Sequence, residues 1–369
     1  MVPKPAPTLP PLGAPIRFVK GRGSGSNTGS RFSAWSREAD LDEYDRDVDR
    51  LDAPPRPTTV TERTARSIIS RNDSPDIPFD QSLNPYQGCE HGCVYCYARP
   101  THAYLGLSPG LDFETRIFAK RNAAELLRDE LSARRYVPSL LALGANTDPY
   151  QPAERRLGIT RSMLQVLSDF NHPVGIITKS ALVTRDIDLL APMAAKGLVQ
   201  VHISLGTLDA ELARRLEPRA NSPARRLDAV RKLAQAGIPT GVMVSPIVPA
   251  LNDKDIEAVL ETAAAAGARF AGYVLLRLPL EVRDLFVQWL QEHVPLRAEH
   301  VMSLVRQMHD GRDNDAQFGS RMRGSGHHAE LIAQRFRIAS RRFGLNAERF
   351  SLETTLFRVP GPGGQRDLF

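Results

Sequence analysis

Strand-like apolar runs alternate with helix-like segments through the middle of this 369-residue chain, and this alternation constrains the fold more than any other feature. The runs are rich in Val, Ile and Leu, and they are SLLALGA (139–145), PVGIITK (173–179), VQVHISL (199–205), IPTGVMVSPIV (238–248) and FAGYVLLR (270–277). The segments with helical periodicity are 122–134, 160–170, 184–195, 222–236, 253–266 and 279–293. Apolar strands that alternate with helices are typical of a parallel sheet covered by helices.

The number of these units indicates which parallel fold is formed. With one further strand expected before Cys89, the pattern contains six βα units. Six units are too few to close an eight-stranded barrel. The sequence therefore predicts an α/β fold with a partial (β/α)6 TIM-like barrel, and a doubly wound sheet is the alternative. In either fold the functional residues lie at the C-terminal ends of the strands.

Composition divides the chain into four predicted regions. They are a disordered, low-complexity N-terminal extension (1–60), the barrel domain (61–295), a basic C-terminal extension with a helix at 328–343 (296–358) and a flexible tail (359–369). Apolar runs are shorter than the roughly 18 residues that a membrane span needs. Prolines interrupt residues 1–14, where a secretory signal would need an apolar segment. We therefore expect a cytoplasmic protein with no membrane contact.

All three cysteines of the chain, Cys89, Cys93 and Cys96, lie within eight residues. A disulfide framework is excluded, because pairing two of them would leave the third alone and the spacing is too tight. Three thiols gathered in one loop indicate a metal site instead.

The spacing of the thiols favours an iron–sulfur cluster. Thiolates spaced in this way can bind three corners of a cubane, and Gly88 and Gly92 allow the backbone to wrap around it. A [4Fe–4S] cluster takes four ligands, and no fourth cysteine exists, so one iron stays open for a substrate or cofactor. The alternative is a structural zinc ion with His91 or His102 as the fourth ligand.

The motif C-x3-C-x2-C, with Tyr95 directly before the last cysteine, resembles the radical S-adenosylmethionine (SAM) superfamily. The resemblance extends over about residues 80–295. It implies that Cys89, Cys93 and Cys96 hold a [4Fe–4S] cluster whose open iron binds SAM, and that an external one-electron reductant reduces the cluster. Cleavage of SAM then gives methionine and a 5′-deoxyadenosyl radical, which takes a hydrogen atom from the substrate.

Further stretches resemble the spore photoproduct lyase-like branch, also described as DNA repair photolyase-like. They are NTDPYQPAE (146–154), ITKS (177–180), HISL (202–205), LEPR (216–219), SPARRL (222–227) and VMVSPIVPALND (242–253). The resemblance implies that Tyr95 lies near the SAM adenine and that Lys179 pairs with the SAM carboxylate. It also implies that Thr147 and Ser204 hydrogen-bond the carboxylate or the ribose. Structural alternatives are a core position for Tyr95, an exposed strand end for Lys179 and a helix cap for Ser204.

The chain departs from this branch at one position. The spore lyase uses an additional cysteine, just after its second strand, to return a hydrogen atom to the product radical. The equivalent stretch here, 144–147, has no cysteine, which argues against that thiol route. A tyrosine is the chemical substitute, and Tyr97 is the candidate catalytic residue, with Tyr150 as the alternative.

Two segments point to partners. The segment 321–349 contains seven arginines, counting Arg321 and Arg349. We expect them either to contact phosphates or to form a solvated helix face. The C-terminal peptide Gln365–Phe369 resembles the bacterial sliding-clamp-binding peptide, in which apolar anchors on a flexible tether enter a groove. Both segments are compatible with DNA as a partner.

Three functions remain open on the sequence. The first is a radical SAM enzyme that acts on nucleic acid, in DNA repair or modification. The second is a radical SAM enzyme that acts on a peptide, a tRNA or a small molecule. The third is a non-enzymatic, metal-stabilised binding protein that is recruited to DNA.

Overall fold

The computed structural model of the chain describes residues 21–29, 31–32, 57–348 and 350–361. The strands of these residues are β1 (Thr59–Arg63), β2 (Ile69–Arg71), β3 (Gln81–Leu83), β4 (Tyr86–Gln87), β5 (Arg116–Lys120), β6 (Leu141–Leu143), β7 (Val174–Thr178), β8 (Val199–Ser204), β9 (Thr240–Ile247) and β10 (Phe270–Leu275). The α-helices are α1 (Leu111–Thr115), α2 (Ala123–Leu131), α3 (Glu154–Leu157), α4 (Ile159–Asp169), α5 (Ile187–Ala195), α6 (Ala210–Leu216), α7 (Pro223–Gln235), α8 (Ile256–Ala265), α9 (Glu281–His293), α10 (Ala298–Met308) and α11 (Gly326–Arg342).

The main sheet has the strand order β10-β9-β8-β7-β6-β3-β2. Strands β3 and β6 to β10 pair in parallel, and β2 adds an antiparallel edge. The prediction of an α/β fold with six parallel strands is confirmed. The order follows the chain without the reversal that defines a doubly wound sheet, so the alternative fold is wrong. Parallel pairing places all six C-terminal strand ends along one edge.

Burial explains why the apolar runs form strands and the periodic segments form helices. All three residues of β6 are buried, because helices cover the sheet. Helix α4 buries Met163, Leu164 and Leu167 on one face and leaves polar side chains on the other. Each fully buried side chain of this kind contributes roughly 1.5–3 kcal/mol. These contacts fix the strand ends that carry the site.

A second, three-stranded sheet was not predicted from the sequence. Strand β5 pairs in parallel with β1 and antiparallel with β4, in the order β1-β5-β4. Strand β4 is only two residues long, and it leads directly into the cysteine segment. The first partner, β1, precedes β5 by more than fifty residues. No local pattern reveals such a pairing.

The C-terminal part of the described chain packs on the sheet rather than standing apart from it. The predicted helix at 328–343 corresponds to α11, whose Phe336 ring lies 4.7 Å from the Tyr273 ring of β10. Helix α10 was not predicted, although its apolar residues have helical spacing. The predicted boundaries of the four regions stay predictions. Arg349 and Gln365–Phe369 lie outside the described residues.

Within residues 21–29, 31–32, 57–348 and 350–361, no helix combines the length and the apolar character that crossing a bilayer requires.

Candidate functional site

The three cysteines lie in a tightly packed loop that follows β4. Cys89 and Cys93 are 7% and 8% exposed, Cys96 is partly exposed, and all three are free thiols. The loop is joined to α1, the helix directly before β5, because the Cys89 N–H donates to the Phe113 carbonyl oxygen at 2.9 Å. On the other side the Val94 N–H donates to the Leu216 carbonyl oxygen at 3.1 Å. The cysteine loop is therefore held between helices α1 and α6.

Two glycines allow the loop to take this path. Gly88 has φ +81°, and a Cβ there would lie 2.9 Å from the Phe113 carbonyl oxygen. Gly92 has φ +68°, and a Cβ there would lie 2.7 Å from Glu114 Oε2. An L-residue is strained at both positions and has no room for its side chain. The sequence prediction that these glycines permit tight wrapping agrees with this geometry.

The donor set suits an iron–sulfur cluster. Thiolates are the ligands that such clusters use, and three of them leave one iron open. Burial raises the pKa of Cys93 to about 12. The positive charge of Lys179 acts to lower this pKa, and the negative charge of Glu217 acts to raise it. A bound metal deprotonates coordinating thiols despite burial. We conclude that the loop fits a cluster with three protein ligands.

The zinc alternative gains no support from the histidines. His91 Nδ1 lies 3.3 Å from Asp148 Oδ2, and His102 Nε2 lies 3.0 Å from the Arg116 carbonyl oxygen. Across the residues that the structure describes, no group of three or more His, Cys, Asp or Glu side chains forms a ready metal site, and this holds for the three thiols as well as for the histidines. The contacts of the two histidines are therefore the observation that bears on zinc.

A buried ion pair between Arg99 and Glu114 stabilises the backbone of the cysteine loop. Arg99 donates from Nε to the Cys93 carbonyl oxygen at 2.8 Å and from Nη2 to the Gly92 carbonyl oxygen at 3.1 Å. The same Nη2 lies 2.5 Å from Glu114 Oε1, and both side chains are fully buried. Sequence reasoning did not identify this pair, because nothing local links Arg99 to Glu114. The pair holds the cysteine backbone without touching the thiols.

The segment Gly21–Gly29 packs against this ion pair and donates hydrogen bonds to Glu114. The Gly23 and Ser24 N–H groups donate to the two carboxylate oxygens of Glu114, at 3.0 and 2.9 Å. Arg22 Nη1 donates to the Glu114 carbonyl oxygen at 3.1 Å. The composition predicted a disordered, low-complexity extension over residues 1–60, whereas the structure places residues 22–24 against the ion pair that holds the cysteine loop. The backbone N–H groups satisfy carboxylate lone pairs that burial would otherwise leave without donors.

We expect Gly23→Val to loosen the cysteine loop. A Cβ at Gly23 would lie 1.7 Å from the Gly92 carbonyl oxygen, so the segment or the loop must shift. Overpacking of this kind costs about 1–3 kcal/mol. Denaturant-induced unfolding should show the loss, and the reconstituted protein should lose iron faster in air. Gly29→Val is the matched control, because Gly29 has no atom within 4 Å of an added Cβ. Equal behaviour of the two variants would contradict this account.

A second buried group contains Tyr95 of the cysteine loop together with Glu217 and Arg226. The Tyr95 hydroxyl donates to Glu217 Oε1, and Arg226 Nη2 donates to Glu217 Oε2. Arg226 Nη1 also donates to the Ser204 carbonyl oxygen at 3.0 Å. Burial acts to raise the pKa of Glu217, but the charges of Arg226 and Lys179 outweigh it and lower that pKa. Tyr95 is therefore fixed to the end of β8.

Lys179 faces this group from the end of β7. Its Nζ lies 5.8 Å from the centre of the Tyr95 ring. Burial acts to lower the pKa of Lys179, but the negative charges of Cys93 and Glu217 raise it, so the side chain stays cationic. Its backbone N–H donates to Asp148 Oδ2 at 2.7 Å. The structure thus brings together two of the predicted SAM-contacting residues, Tyr95 and Lys179.

Asp148 links the same strand end to the cysteine loop. Besides Lys179 it accepts a hydrogen bond from Thr178 Oγ1 at 2.7 Å, and it faces His91. Burial acts to raise the pKa of Asp148, but His91 and these donors lower it to about 2. The carboxylate is thereby held ionised as a bridge between β7 and the loop. The sequence contained Asp148 within a family-like stretch but gave it no role.

Thr147 and Ser204 lie at the ends of β6 and β8, as predicted, and both are buried. The Thr147 hydroxyl donates to the Tyr86 carbonyl oxygen at 3.1 Å, and the Ser204 hydroxyl donates to the Ser245 carbonyl oxygen at 3.3 Å. Each hydroxyl keeps a lone pair that can accept a hydrogen bond from a ligand. Their contact with SAM stays a prediction.

The two candidate tyrosines differ sharply in exposure. Tyr97 is 48% exposed, and its hydroxyl donates to the Ala145 carbonyl oxygen. Tyr150 is fully buried, and its hydroxyl donates to Asp186 Oδ2 at 3.1 Å. Because a hydrogen-atom donor must reach the substrate, this geometry favours Tyr97 over Tyr150.

A small pocket lies beside Tyr95. Residues that follow β8 and residues at or after the end of β9 contribute to its wall, among them Gly206, Pro246 and Asn252. Asn252 Nδ2 donates to the Gly206 and Pro246 carbonyl oxygens at 2.8 and 2.9 Å and ties the two strand ends together. The family resemblance predicts the SAM adenine near Tyr95, which contributes to the wall of this pocket.

Comparisons with known proteins agree with this geometry. A family model described as the radical SAM superfamily matches residues 83–263. An uncharacterized protein of Mycobacterium tuberculosis is 38% identical over 232 residues, which are 62% of this chain and 68% of that protein. A Pseudomonas phage protein named radical SAM Nalpha-GlyT isomerase is 28% identical over 186 residues, which are 50% of this chain and 36% of that protein.

The fold is similar to that of solved spore photoproduct lyase structures. One of them, a mutant with bound AdoMet and dinucleoside spore photoproduct, has a TM-score of 0.57 and 16% sequence identity. The match covers 78% of this chain and 80% of that chain. At this identity the similarity concerns the fold.

Proposed function

Because this chain belongs to the radical SAM superfamily, we propose that it holds a [4Fe–4S] cluster through Cys89, Cys93 and Cys96 and cleaves SAM reductively. The cluster, when bound, supplies the electron that breaks a carbon–sulfur bond of SAM and yields methionine and a 5′-deoxyadenosyl radical. The observation that carries this proposal is the position of the three thiols, two buried and one partly exposed, against Tyr95 and Lys179 at the C-terminal strand ends.

The residues around the loop would orient the cofactor. Lys179 would pair with the SAM carboxylate, because its ammonium group is a point charge fixed at a strand end. Tyr95 would pack near the adenine, and Glu217 and Arg226 would keep its ring in place. Thr147 and Ser204 would hydrogen-bond the carboxylate or the ribose of SAM. Their hydroxyl protons are directed at backbone carbonyl oxygens, so the hydroxyl groups of the ribose are the donors that they could accept from. Burial of the loop keeps water away from the reacting groups.

We expect Lys179→Met to weaken SAM binding. The loss of a charge-assisted contact costs about 1.5–3 kcal/mol, which corresponds to about a 10- to 100-fold rise in the dissociation constant. Equilibrium dialysis with the reconstituted protein measures this. The control is Lys232→Met, because Lys232 is exposed on α7 and forms an ion pair with Asp228 on the same helix, away from the cysteine loop. An unchanged affinity in Lys179→Met would remove this lysine from the cofactor site.

For the substrate we propose nucleic acid, with repair or modification of DNA as the reaction. The similar fold of spore photoproduct lyase with a bound dinucleoside supports this class. The phage relative named as a radical SAM isomerase supports an enzyme of the same superfamily. A peptide, a tRNA or a small molecule is the second candidate. Since the chain has no spare cysteine, Tyr97 is proposed as the residue that exchanges a hydrogen atom with the substrate or product.

Anaerobic reconstitution with iron and sulfide tests the enzymatic proposal. The protein should turn brown and, with a reductant, convert SAM to 5′-deoxyadenosine. Incubation with deuterated DNA, RNA and peptide substrates should place deuterium in the deoxyadenosine for the correct class only. Stoichiometric zinc without SAM cleavage would contradict the proposal and favour the metal-stabilised binding protein.

Binding to a bacterial sliding clamp through Gln365–Phe369 is a separate proposal. It rests on the peptide resemblance, and these residues lie outside the described part of the chain. Removal of the last five residues should abolish clamp binding in a pull-down with purified components and leave SAM cleavage unchanged. Equal clamp binding with and without the peptide would contradict it.

A further inference from the structure

Arg277, just beyond the end of β10, is a partly buried cation without an anionic partner in the described part of the chain. Its guanidinium carbon lies 5.5 Å from the centre of the Tyr97 ring. Its Nε is buried, and no described residue accepts a hydrogen bond from it. Asp76 and Asp315 act on it only from a distance. Arg277 therefore faces the exposed tyrosine next to Cys96 with its charge uncompensated by any close carboxylate.

The other buried arginines of the site behave differently. Arg99 lies against Glu114, and Arg226 lies against Glu217. A buried charge is costly unless an opposite charge and hydrogen bonds compensate it. Burial, together with the charge of Arg321, lowers the pKa of Arg277, which shows that its surroundings disfavour the cation. An anion bound at Arg277 would supply the opposite charge that Glu114 supplies to Arg99 and Glu217 supplies to Arg226.

Two further arginines, Arg321 and Arg323, lie on a segment beside the end of β10. Arg321 is already paired, since its Nη2 lies 2.6 Å from Asp76 Oδ1. Its neighbour Arg323 is exposed and lies 4.2 Å from the centre of the Tyr273 ring of β10. The Leu275 N–H donates to the Met322 carbonyl oxygen at 3.0 Å, so this arginine segment runs beside the end of β10.

We propose that Arg277 binds a backbone phosphate of a nucleic acid and thereby places a nucleotide against Tyr97 and the cysteine loop. The inference rests on the proposed function and adds a binding site to it. A guanidinium fork matches phosphate oxygens in a bidentate way. Arg277 and Arg323, carried by adjoining segments, suit a ligand whose negative charges repeat along a chain. Lys179 remains free for the SAM carboxylate.

The test measures binding of a fluorescein-labelled single-stranded oligonucleotide to the reconstituted protein at several salt concentrations. Arg277→Gln should raise the dissociation constant by at least about 10-fold, as expected for loss of a charge-assisted contact. It should also reduce the slope of log K against log salt by about 1. Arg277→Lys should retain part of the affinity, because it keeps the charge but not the fork. Arg134→Gln is the control, since Arg134 is exposed in the connection between α2 and β6, which enters the sheet from the N-terminal end of β6.

A stability measurement separates this role from a structural one. Arg277→Gln removes a charge without a partner, so its unfolding midpoint should equal or exceed that of the parent chain. A marked fall in the midpoint would assign Arg277 to the fold and overturn the inference. Unchanged oligonucleotide affinity in Arg277→Gln would also overturn it and leave the proposed function standing.

Two outcomes concern the substrate class. If the parent protein binds no oligonucleotide, both the nucleic-acid assignment and this site are wrong, while SAM cleavage by the same sample would preserve the radical SAM assignment. If Arg277→Gln instead weakens only the binding of an acidic peptide, the site takes a carboxylate of a peptide substrate, and the phosphate inference is overturned.

Discussion

Replacing Cys93 with alanine is expected to abolish cluster retention and SAM cleavage. A [4Fe–4S] cluster held by three thiolates cannot keep its cubane with two, because two irons would then lack a protein ligand. The reconstituted parent should contain about four irons per chain. Cys93→Ala should contain almost none, and 5′-deoxyadenosine should fall to the level of a sample without protein. Iron analysis, the visible spectrum and product chromatography measure these three quantities.

Val94→Ala is the matched control for this variant. Val94 is fully buried in the same loop, and its truncation removes apolar contacts but no thiol. Its cost in stability is expected to be about 1–3 kcal/mol, which leaves the loop able to bind the cluster. Retention of the full cluster by Cys93→Ala would disprove the ligand assignment. Loss of the cluster in both variants would attribute the effect to loop packing instead.

The second large effect is expected from Arg226→Met. This change leaves the Glu217 carboxylate buried without its arginine, and breaking a buried pair in this way costs about 3–5 kcal/mol. Tyr95 shares Glu217 as its hydrogen-bond acceptor, so its ring should lose its fixed position. We therefore expect a strongly reduced unfolding midpoint in denaturant together with weaker SAM binding.

The chain offers a close control for Arg226. Arg225 precedes it on α7 and is exposed, so Arg225→Met should change the unfolding free energy by less than about 0.5 kcal/mol. The double variant Arg226→Met with Glu217→Leu removes both charges and should recover much of the lost stability. It should not recover SAM binding, because the double variant removes Glu217, the hydrogen-bond acceptor of the Tyr95 hydroxyl. If the double variant is no more stable than Arg226→Met, the buried charge is not the cause.

The main sheet could be predicted because each parallel strand carries its own signal. Strand β7, for example, is an apolar run bounded by helix-period segments, and the structure places it at Val174–Thr178 within the predicted 173–179. The small sheet β1-β5-β4 could not be predicted, because β4 is only two residues long and most residues of β1 are polar and exposed to solvent. Helix α10 had a readable signal in the spacing of Val301, Met302 and Val305.

Part of the candidate site could also be predicted. Cys89, Cys93 and Cys96 are neighbours in sequence, and Lys179 follows a strand whose C-terminal end had to lie at the functional edge. Residues that hold these groups were missed. Gly23 and Glu114 are separated by 91 positions, and Tyr95 and Glu217 by 122 positions. Contacts over such distances leave no periodic or motif signature.

The sequence by itself determined the parallel α/β architecture, the three-thiol loop and the strand ends around it. These features are local, because burial periodicity and cysteine spacing depend on residues a few positions apart. Only the tertiary structure decided which carboxylates neutralise Arg99 and Arg226 and that residues 21–29 pack against the support of the cysteine loop. It also decided that Arg277 faces Tyr97 with no carboxylate close to it among the described residues. The physical reason is that charge compensation depends on distance in space, which chain folding sets and sequence separation does not record.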